Sequence, residues 1–323
     1  MSWSAANIPN LAGKLAVVTG GTGGLGFETA LALAKAGARV IIAARNPAKG
    51  EAAVRAVRQA QAAADVAFRL CDLSSLESVR QFADDLLGAE QRVDLLINNA
   101  GIMAVPRRRE TTDGFELQFG TNYLGHFALT GRLLPALQGG HGARVVYVAS
   151  LAHRRGRIDF ADPQGKAYGA WKAYSQSKLA MLMGAIGFQR RSAALGWGVI
   201  GVAAHPGWAQ TDIFTNGPGL GGPVGWKERL GKLVFPIFGQ SAAAGALPIL
   251  YAATAPGVQA GGYYGPDGFY ELKGAPAPAR IEPQALDVDA ASKLWALSVH
   301  LTGVDPALMA EGQSSAGRSG LQA

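Results

Sequence analysis

Cysteine is nearly absent: Cys71 is the only one in 323 residues, so no intrachain disulfide can form and no oxidising compartment is needed. Charge is scarce, with Asp, Glu, Lys and Arg at 16% against about 25% in ordinary globular chains. No run of 18 apolar residues occurs, which argues against a membrane-spanning helix. The opening MSWSAANIPNLAGKL lacks the basic-then-apolar order of a secretory signal. Together these absences predict a soluble, cytoplasmic protein without a membrane anchor. His126, His141, His153 and His205 are scattered without paired ligand spacing, so no metal site is expected. The arginines cluster only in short groups, at Arg107–Arg109, at Arg154, Arg155 and Arg157, and at Arg190 and Arg191. None is interleaved with aromatic platforms, so they read as solvated faces rather than a nucleic-acid surface. The net charge of +7 still suits an anionic small-molecule partner.

What the chain does have is 49% apolar content and 44 glycines. That much apolar surface can offset the entropy of ordering and excludes disorder. Length alone would suggest two domains, but no composition shift marks a boundary. β-branched runs at Lys14–Gly20, Arg39–Arg45, Val66–Leu70, Val93–Ile97, Arg144–Ala149 and Gly198–Ala203 alternate with helical patterns at Phe27–Ala36, Ala48–Ala64 and Leu76–Leu87. Strands apolar on both faces and separated by helices predict a doubly wound α/β fold with a parallel sheet, as one domain over residues 13–303. Residues 207–240 are Gly/Pro-rich, apolar and too long for an ordinary connection, so they read as a substrate lid. Ile213, Phe214, Leu220, Trp226, Val234, Phe235, Ile237 and Phe238 supply its apolar character. Helical pattern returns at 241–253 and 286–302, with GGYYGPDGFYELKGAPAP read as a loop between them. Residues 1–12 and 311–323 read as terminal tails.

Thr19–Gly26 (TGGTGGLG) lies where the first strand meets the first helix. Glycines there let the backbone turn sharply and approach a pyrophosphate held at the helix N-terminus. Gly20, Thr22, Gly24, Leu25 and Gly26 are the candidates, and a plain tight turn is the alternative. The second strand ends in Ala43-Ala44-Arg45-Asn46, without the carboxylate that would bind a free ribose 2′-hydroxyl. Arg45 can pair with a 2′-phosphate instead, which favours NADP(H) over NAD(H). Asp72 and Leu73 follow the third strand, and Asn99, Ala100 and Gly101 the fourth, at the strand ends where ligands bind in this architecture. Asp72 could equally be a helix N-cap.

Asn122, Ser150, Tyr174 and Lys178 form the constellation that carries chemistry. Ser150 ends a buried strand, and Tyr174 and Lys178 are four apart on a helical pattern, hence on one face. A free tyrosine titrates near ~10, and a fixed ammonium favours its ionised form; a general acid tuned in that way suits carbonyl reduction. Tyr168 and Lys172 repeat the spacing, but small residues follow Tyr174 and allow close approach of helix and cofactor. Tyr168 therefore reads as a loop or pocket residue.

The ordered set TGGTGGLG, Asp72, NNAG at 98–101, Asn122 in NYLGHF, Ser150, YSQSK at 174–178 and His205-Pro206-Gly207 with Thr211 resembles the short-chain dehydrogenase/reductase superfamily, in its retinol-dehydrogenase-like and bacterial carbonyl reductase branches. The resemblance implies a Rossmann-type fold. It also implies that Tyr174 exchanges a proton with the substrate oxygen, that Ser150 stabilises that oxygen, and that Lys178 lowers the Tyr174 pKa and holds the cofactor ribose. By the same resemblance Asn122 positions a water, Asp72 meets the adenine, and Pro206, Gly207 and Thr211 meet the nicotinamide side. Lid composition predicts a hydrophobic ketone, aldehyde or secondary alcohol as substrate. A carbon–carbon double-bond reductase on the same residues and a non-catalytic NADP(H)-binding regulator are the alternatives. Trp171, Trp208, Tyr263, Tyr264 and Phe269 could line the pocket or fill the core. Family members assemble through helices, which implies a homo-oligomer unless the C-terminal extension covers those faces.

Overall fold

The computed structural model describes residues 2–140, 142–209 and 239–311; Thr211, His141, most of the expected lid and the end of the C-terminal tail lie outside the described residues. The strands are β1 (Leu15–Thr19), β2 (Arg39–Ala44), β3 (Val66–Leu70), β4 (Leu95–Asn98), β5 (Arg144–Val148), β6 (Ile200–Ala204), β7 (Tyr263–Pro266) and β8 (Pro276–Pro278). They form one sheet in the order β3-β2-β1-β4-β5-β6-β7-β8. Only the β7–β8 pairing is antiparallel. The chain is a single α/β domain of Rossmann type.

β1 and β4 are buried along their whole length, as is β2 after its first residue. A strand covered on both faces has no use for polar alternation, which is why these segments read as continuous apolar runs. On one face lie α1 (Gly24–Lys35), α2 (Pro47–Ala60) and, named here in chain order among the described helices, α8 (Ala242–Thr254). The other face carries α3 (Leu76–Ala89), α5 (Gly125–Arg132), α6 (Leu134–Gln138) and α7 (Ala170–Leu195). The short α4 (Leu117–Phe119) enters α5 through a π-turn at Gly120–Leu124. The order reverses between β1 and β4, opening a crevice at their carboxyl ends, where this architecture binds ligands.

The segment expected as a loop at 261–278 instead supplies β7 and β8. Tyr263 and Tyr264 are core residues facing opposite sides of the sheet, and the His205 N–H donates to the Tyr264 carbonyl at 2.9 Å. Prolines at 276 and 278 are tolerated because β8 is the edge strand. The C-terminal extension, α9 (Pro283–Leu286) and α10 (Val288–Thr302), lies over α5 and α7. Trp295 meets Phe127 edge-on at 5.0 Å, Arg191 sits 4.0 Å over the Trp295 ring, and the Ser298 and Tyr123 hydroxyls are hydrogen-bonded at 2.9 Å. Arg191 is thus a packing residue rather than part of a solvated face. Among the described residues no helix is long and apolar enough to cross a membrane.

Candidate active site

At the mouth of the crevice the chain leaves β1 at Thr19 and enters α1 at Gly24 with no side chain capping the helix start, so its first N–H groups remain available to an anion. Gly20 has φ +67°, and a Cβ there would sit 2.9 Å from the Ala100 Cα; at Gly26 a Cβ would lie 2.3 Å from the Gly20 carbonyl oxygen. No larger residue fits either place without moving backbone. Thr19 Oγ1 accepts the N–H groups of Asn99 (2.9 Å) and Ala100 (3.0 Å), and Asn99 Nδ2 donates to the Thr19 carbonyl at 2.8 Å. The glycine turn and the loop after β4 are therefore one unit.

The cleft above this unit is lined by Gly20, Thr22, Gly24, Leu25, Gly26, Arg45, Asp72, Leu73, Asn99, Ala100 and Gly101, and also by Asn46, Lys49, Cys71, Ile102 and Thr121, which sequence reasoning did not select. Pro206 and Gly207 stand apart from it, just past β6. Asp72 is not the N-cap of α3: Ser75 is, accepting the Ser78 N–H. Asp72 Oδ1 instead accepts from the Ser74 N–H (2.9 Å) and hydroxyl (2.7 Å). Burial, with the Asp72 charge, pushes Cys71 up to about 12, so it lines the cleft as a neutral thiol.

Beyond the fourth strand the reactive residues converge. Ser150 stands at the start of a 3₁₀ turn, Leu151–Arg155, with its Oγ accepting the Ala152 N–H at 3.2 Å. Tyr174 is 5% exposed, and Ser150 is near enough to its hydroxyl to favour the ionised form. Lys178 Nζ donates to the Val148 carbonyl at 2.9 Å and lies 5.9 Å from the centre of the Tyr174 ring. A Cβ at Gly101 would touch both Asn122 Oδ1 (3.3 Å) and Lys178 Nζ (3.5 Å), so cleft, amide and ammonium share one corner.

Burial pushes Tyr174 up to about 12, and the Ser150 side chain draws it the other way. Lys178 is itself drawn down to about 8 by burial. In the Asn122 amide, Nδ2 donates to the Ile102 carbonyl and Ser177 Oγ, both at 2.9 Å, and Oδ1 accepts the Ile102 N–H at 2.8 Å. Asn122 thereby ties the loop after β4 to α7.

The sequence model described as "short chain dehydrogenase" matches residues 14–217. The chain belongs to this family. It is an oxidoreductase, similar to Retinol dehydrogenase 13 from Homo sapiens (40% identical, over 94% of this chain and 87% of that protein). It is also similar to Polyprenol dehydrogenase from Mus musculus (39%, over 92% and 86%). A crystal structure of an uncharacterised protein from Mycobacterium paratuberculosis is 41% identical, with a TM-score of 0.77 over 94% of this chain and 99% of that one. A short chain dehydrogenase from Burkholderia cenocepacia in complex with NADP shares the fold (TM-score 0.59, 24% identical, 77% and 93% covered).

In this short chain dehydrogenase the second Tyr/Lys pair is resolved by the start of α7. Tyr168 precedes the helix, donates to the Val105 carbonyl at 2.5 Å and accepts from Gln118 Nε2 at 3.0 Å, while Lys172 pairs with Asp159. Of the aromatic candidates, Tyr263 and Tyr264 are core, whereas Trp171 and Phe269 are 59% and 75% exposed. Trp171 stands edge-on to Tyr174, with 6.0 Å between ring centres.

A charged network around Glu271 had no counterpart in the sequence reading. Tyr270 and Glu271 have φ of 50° and 58°, a costly conformation for non-glycine residues that persists only where the surroundings enforce it. The Gly207 N–H donates to His205 Nδ1 (3.1 Å), so His205 Nε2 carries the hydrogen and donates to Glu271 (3.0 Å). Arg154 pairs with Glu271 at 2.7 Å, which corrects the reading of that arginine as solvated. Burial pushes the Glu271 carboxyl up, but the His205 bond, the Arg280 N–H and Arg154 outweigh it and hold it below the usual range. A depressed carboxyl contributes stability above its unfolded pKa and loses it as pH falls through the folded value. Glu271→Gln is therefore expected to cost roughly 1–3 kcal/mol at pH 7. That gap should close as pH falls below about 4.5, read from urea unfolding midpoints across pH; a pH-independent gap contradicts the assignment.

Proposed function

We propose that this chain is an NADP(H)-dependent oxidoreductase that interconverts a hydrophobic ketone or aldehyde and the corresponding alcohol, with Tyr174 as the acid/base. What supports the reading is the buried Tyr174 phenol beside Ser150 and Lys178, whose Nζ lies 5.9 Å from the Tyr174 ring centre and would lie 3.5 Å from a Cβ at Gly101 in the glycine cleft.

The fit to a dinucleotide rests on Gly20 and Gly26, where any side chain would fill the cradle, and on the uncapped start of α1. Gly20, Thr22, Gly24, Leu25 and Gly26 would hold the pyrophosphate, with Asn99, Ala100 and Gly101 flooring the cleft and Asp72 and Leu73 bordering the adenine. Arg45 and Lys49 would meet a 2′-phosphate; Asp72 is the only acid among the cleft residues. Pro206, Gly207 and Thr211 would meet the nicotinamide end, and Tyr174 and Lys178 its ribose. When bound, the nicotinamide donates or accepts hydride. Tyr174 then delivers or removes the proton on the substrate oxygen, and Ser150 donates to that oxygen as charge develops. Lys178 adds positive charge beside the phenol, and Asn122 keeps the surrounding loop and helix in register.

For the substrate, the apolar surfaces of Phe269 and Leu272 border a groove next to Ala244 and Gln240, and Trp171 stands exposed beside Tyr174. Two relatives bear the names of retinol and polyprenol, both apolar alcohols. Purified protein offered a panel of carbonyl compounds with NADPH or NADH should consume NADPH preferentially and favour bulky apolar compounds, followed by nicotinamide absorbance. Turnover confined to small hydrophilic ketones, or without cofactor preference, overturns the substrate or cofactor assignment respectively.

A further inference from the structure

In the sequence His126 is one of several scattered histidines, yet it is fully buried and bonded at both ring nitrogens. It lies four residues beyond Asn122 on the same helical face, with Nδ1 2.7 Å from the Asn122 carbonyl oxygen and Nε2 2.9 Å from Thr19 Oγ1. We infer that His126 is a positioning residue that locks the π-turn carrying Asn122 to the threonine at the root of the glycine turn, holding the cofactor cradle and the Tyr174/Lys178 helix in one frame. The inference rests on the oxidoreductase reading and names a residue that touches neither substrate nor cofactor.

Counting donors and acceptors fixes the proton. A carbonyl only accepts, so Nδ1 bears the hydrogen, and in a neutral ring Nε2 is then an acceptor. Thr19 Oγ1 already accepts from the Asn99 and Ala100 N–H groups, which fills its lone pairs, and its one hydrogen is shared between Nε2 at 2.9 Å and the Ile97 carbonyl at 3.1 Å. A protonated imidazole would aim a second N–H at an oxygen with nothing left to offer. The charged group facing the ring is Lys178, and its field adds to burial in disfavouring protonation.

The chain of bonds then runs across three elements. Thr19 holds the end of β1 and, through Asn99 and Ala100, the loop after β4. His126 joins Thr19 to the Asn122 backbone within a turn where the Gly125 N–H reaches back to Gly120, out of regular α-helical pairing. The Asn122 amide reaches Ile102 and Ser177, and Ser177 adjoins Lys178.

Two variants separate the halves of this link. His126→Phe removes both bonds, whereas His126→Asn places an amide nitrogen where Nδ1 was and can still donate to the Asn122 carbonyl, but is too short for Thr19. One such bond is worth about 0.5–1.5 kcal/mol net, or up to roughly tenfold. His126→Phe should lower kcat about tenfold and weaken NADPH binding, measured by fluorescence titration, by a similar factor. His126→Asn should recover most of the kcat while NADPH binding stays weak. A parallel loss of kcat, affinity and Tm in both variants, without this split, overturns the positioning role, as does wild-type behaviour in either. Since the titration needs no turnover, failure of the wild type to reduce any carbonyl would count against the oxidoreductase reading alone, and an unchanged NADPH affinity in both variants against the His126 link alone.

Discussion

Tyr174→Phe is expected to lower kcat by roughly 10²–10⁴-fold, the usual worth of a positioned general acid, while NADPH affinity stays nearly unchanged. The substitution removes one oxygen and leaves the ring in place against Trp171. What disappears is the proton on the substrate side, so the loss should appear in kcat rather than in KM. The direction of pH dependence follows from the buried phenol. With Tyr174 pushed up to about 12, the acid stays loaded at neutral pH, so carbonyl reduction should hold steady there and decline only at strongly alkaline pH. Alcohol oxidation needs the phenolate and should climb with pH over the same range. Steady-state rates of both reactions across pH check this. Activity retained in Tyr174→Phe but lost in Tyr168→Phe would move the acid to Tyr168, against its bonds to Val105 and Gln118.

Arg45→Glu should lower kcat/KM for NADPH by about 100-fold while changing the NADH value little. A charge-assisted hydrogen bond is worth about 1.5–3 kcal/mol, or roughly 10- to 100-fold, and a carboxylate facing the 2′-phosphate adds repulsion. Arg45 is exposed at the end of β2, so the fold should tolerate the change within about 0.5 kcal/mol. Parallel titrations with the two cofactors check the prediction, and equal losses for both would show that Arg45 does not read the phosphate.

The parts of the molecule legible in the sequence were those whose signal is local. β1, β2 and β4 lie between two helical layers, so burial on both faces wrote itself as uninterrupted apolar runs. The glycine turn announced itself because close backbone approach at Gly20 and Gly26 admits no other residue. Tyr174 and Lys178 were visible as an i,i+4 pair, and the boundary that excludes Tyr168 falls at Gly169, the N-cap of α7. β7 and β8 were missed because Tyr263–Pro266 gains its strand character by pairing with β6, some sixty residues earlier, among glycines and prolines that read as turns. His205 and Glu271 are 66 residues apart and meet only through a left-handed tip that no periodicity marks. For His126 half the signal was present, in its spacing from Asn122; its other partner, Thr19, is 107 residues away.

Transfer of label from NADPH deuterated at the nicotinamide C4 tests the account most directly, with the product of an apolar ketone analysed by mass spectrometry and NMR. The predicted result is one deuterium on the carbinol carbon, with the hydroxyl proton drawn from solvent through Tyr174 and label transfer suppressed in Tyr174→Phe. Deuterium on a carbon of a former carbon–carbon double bond, or binding of NADPH without label transfer to any carbonyl compound, would contradict it.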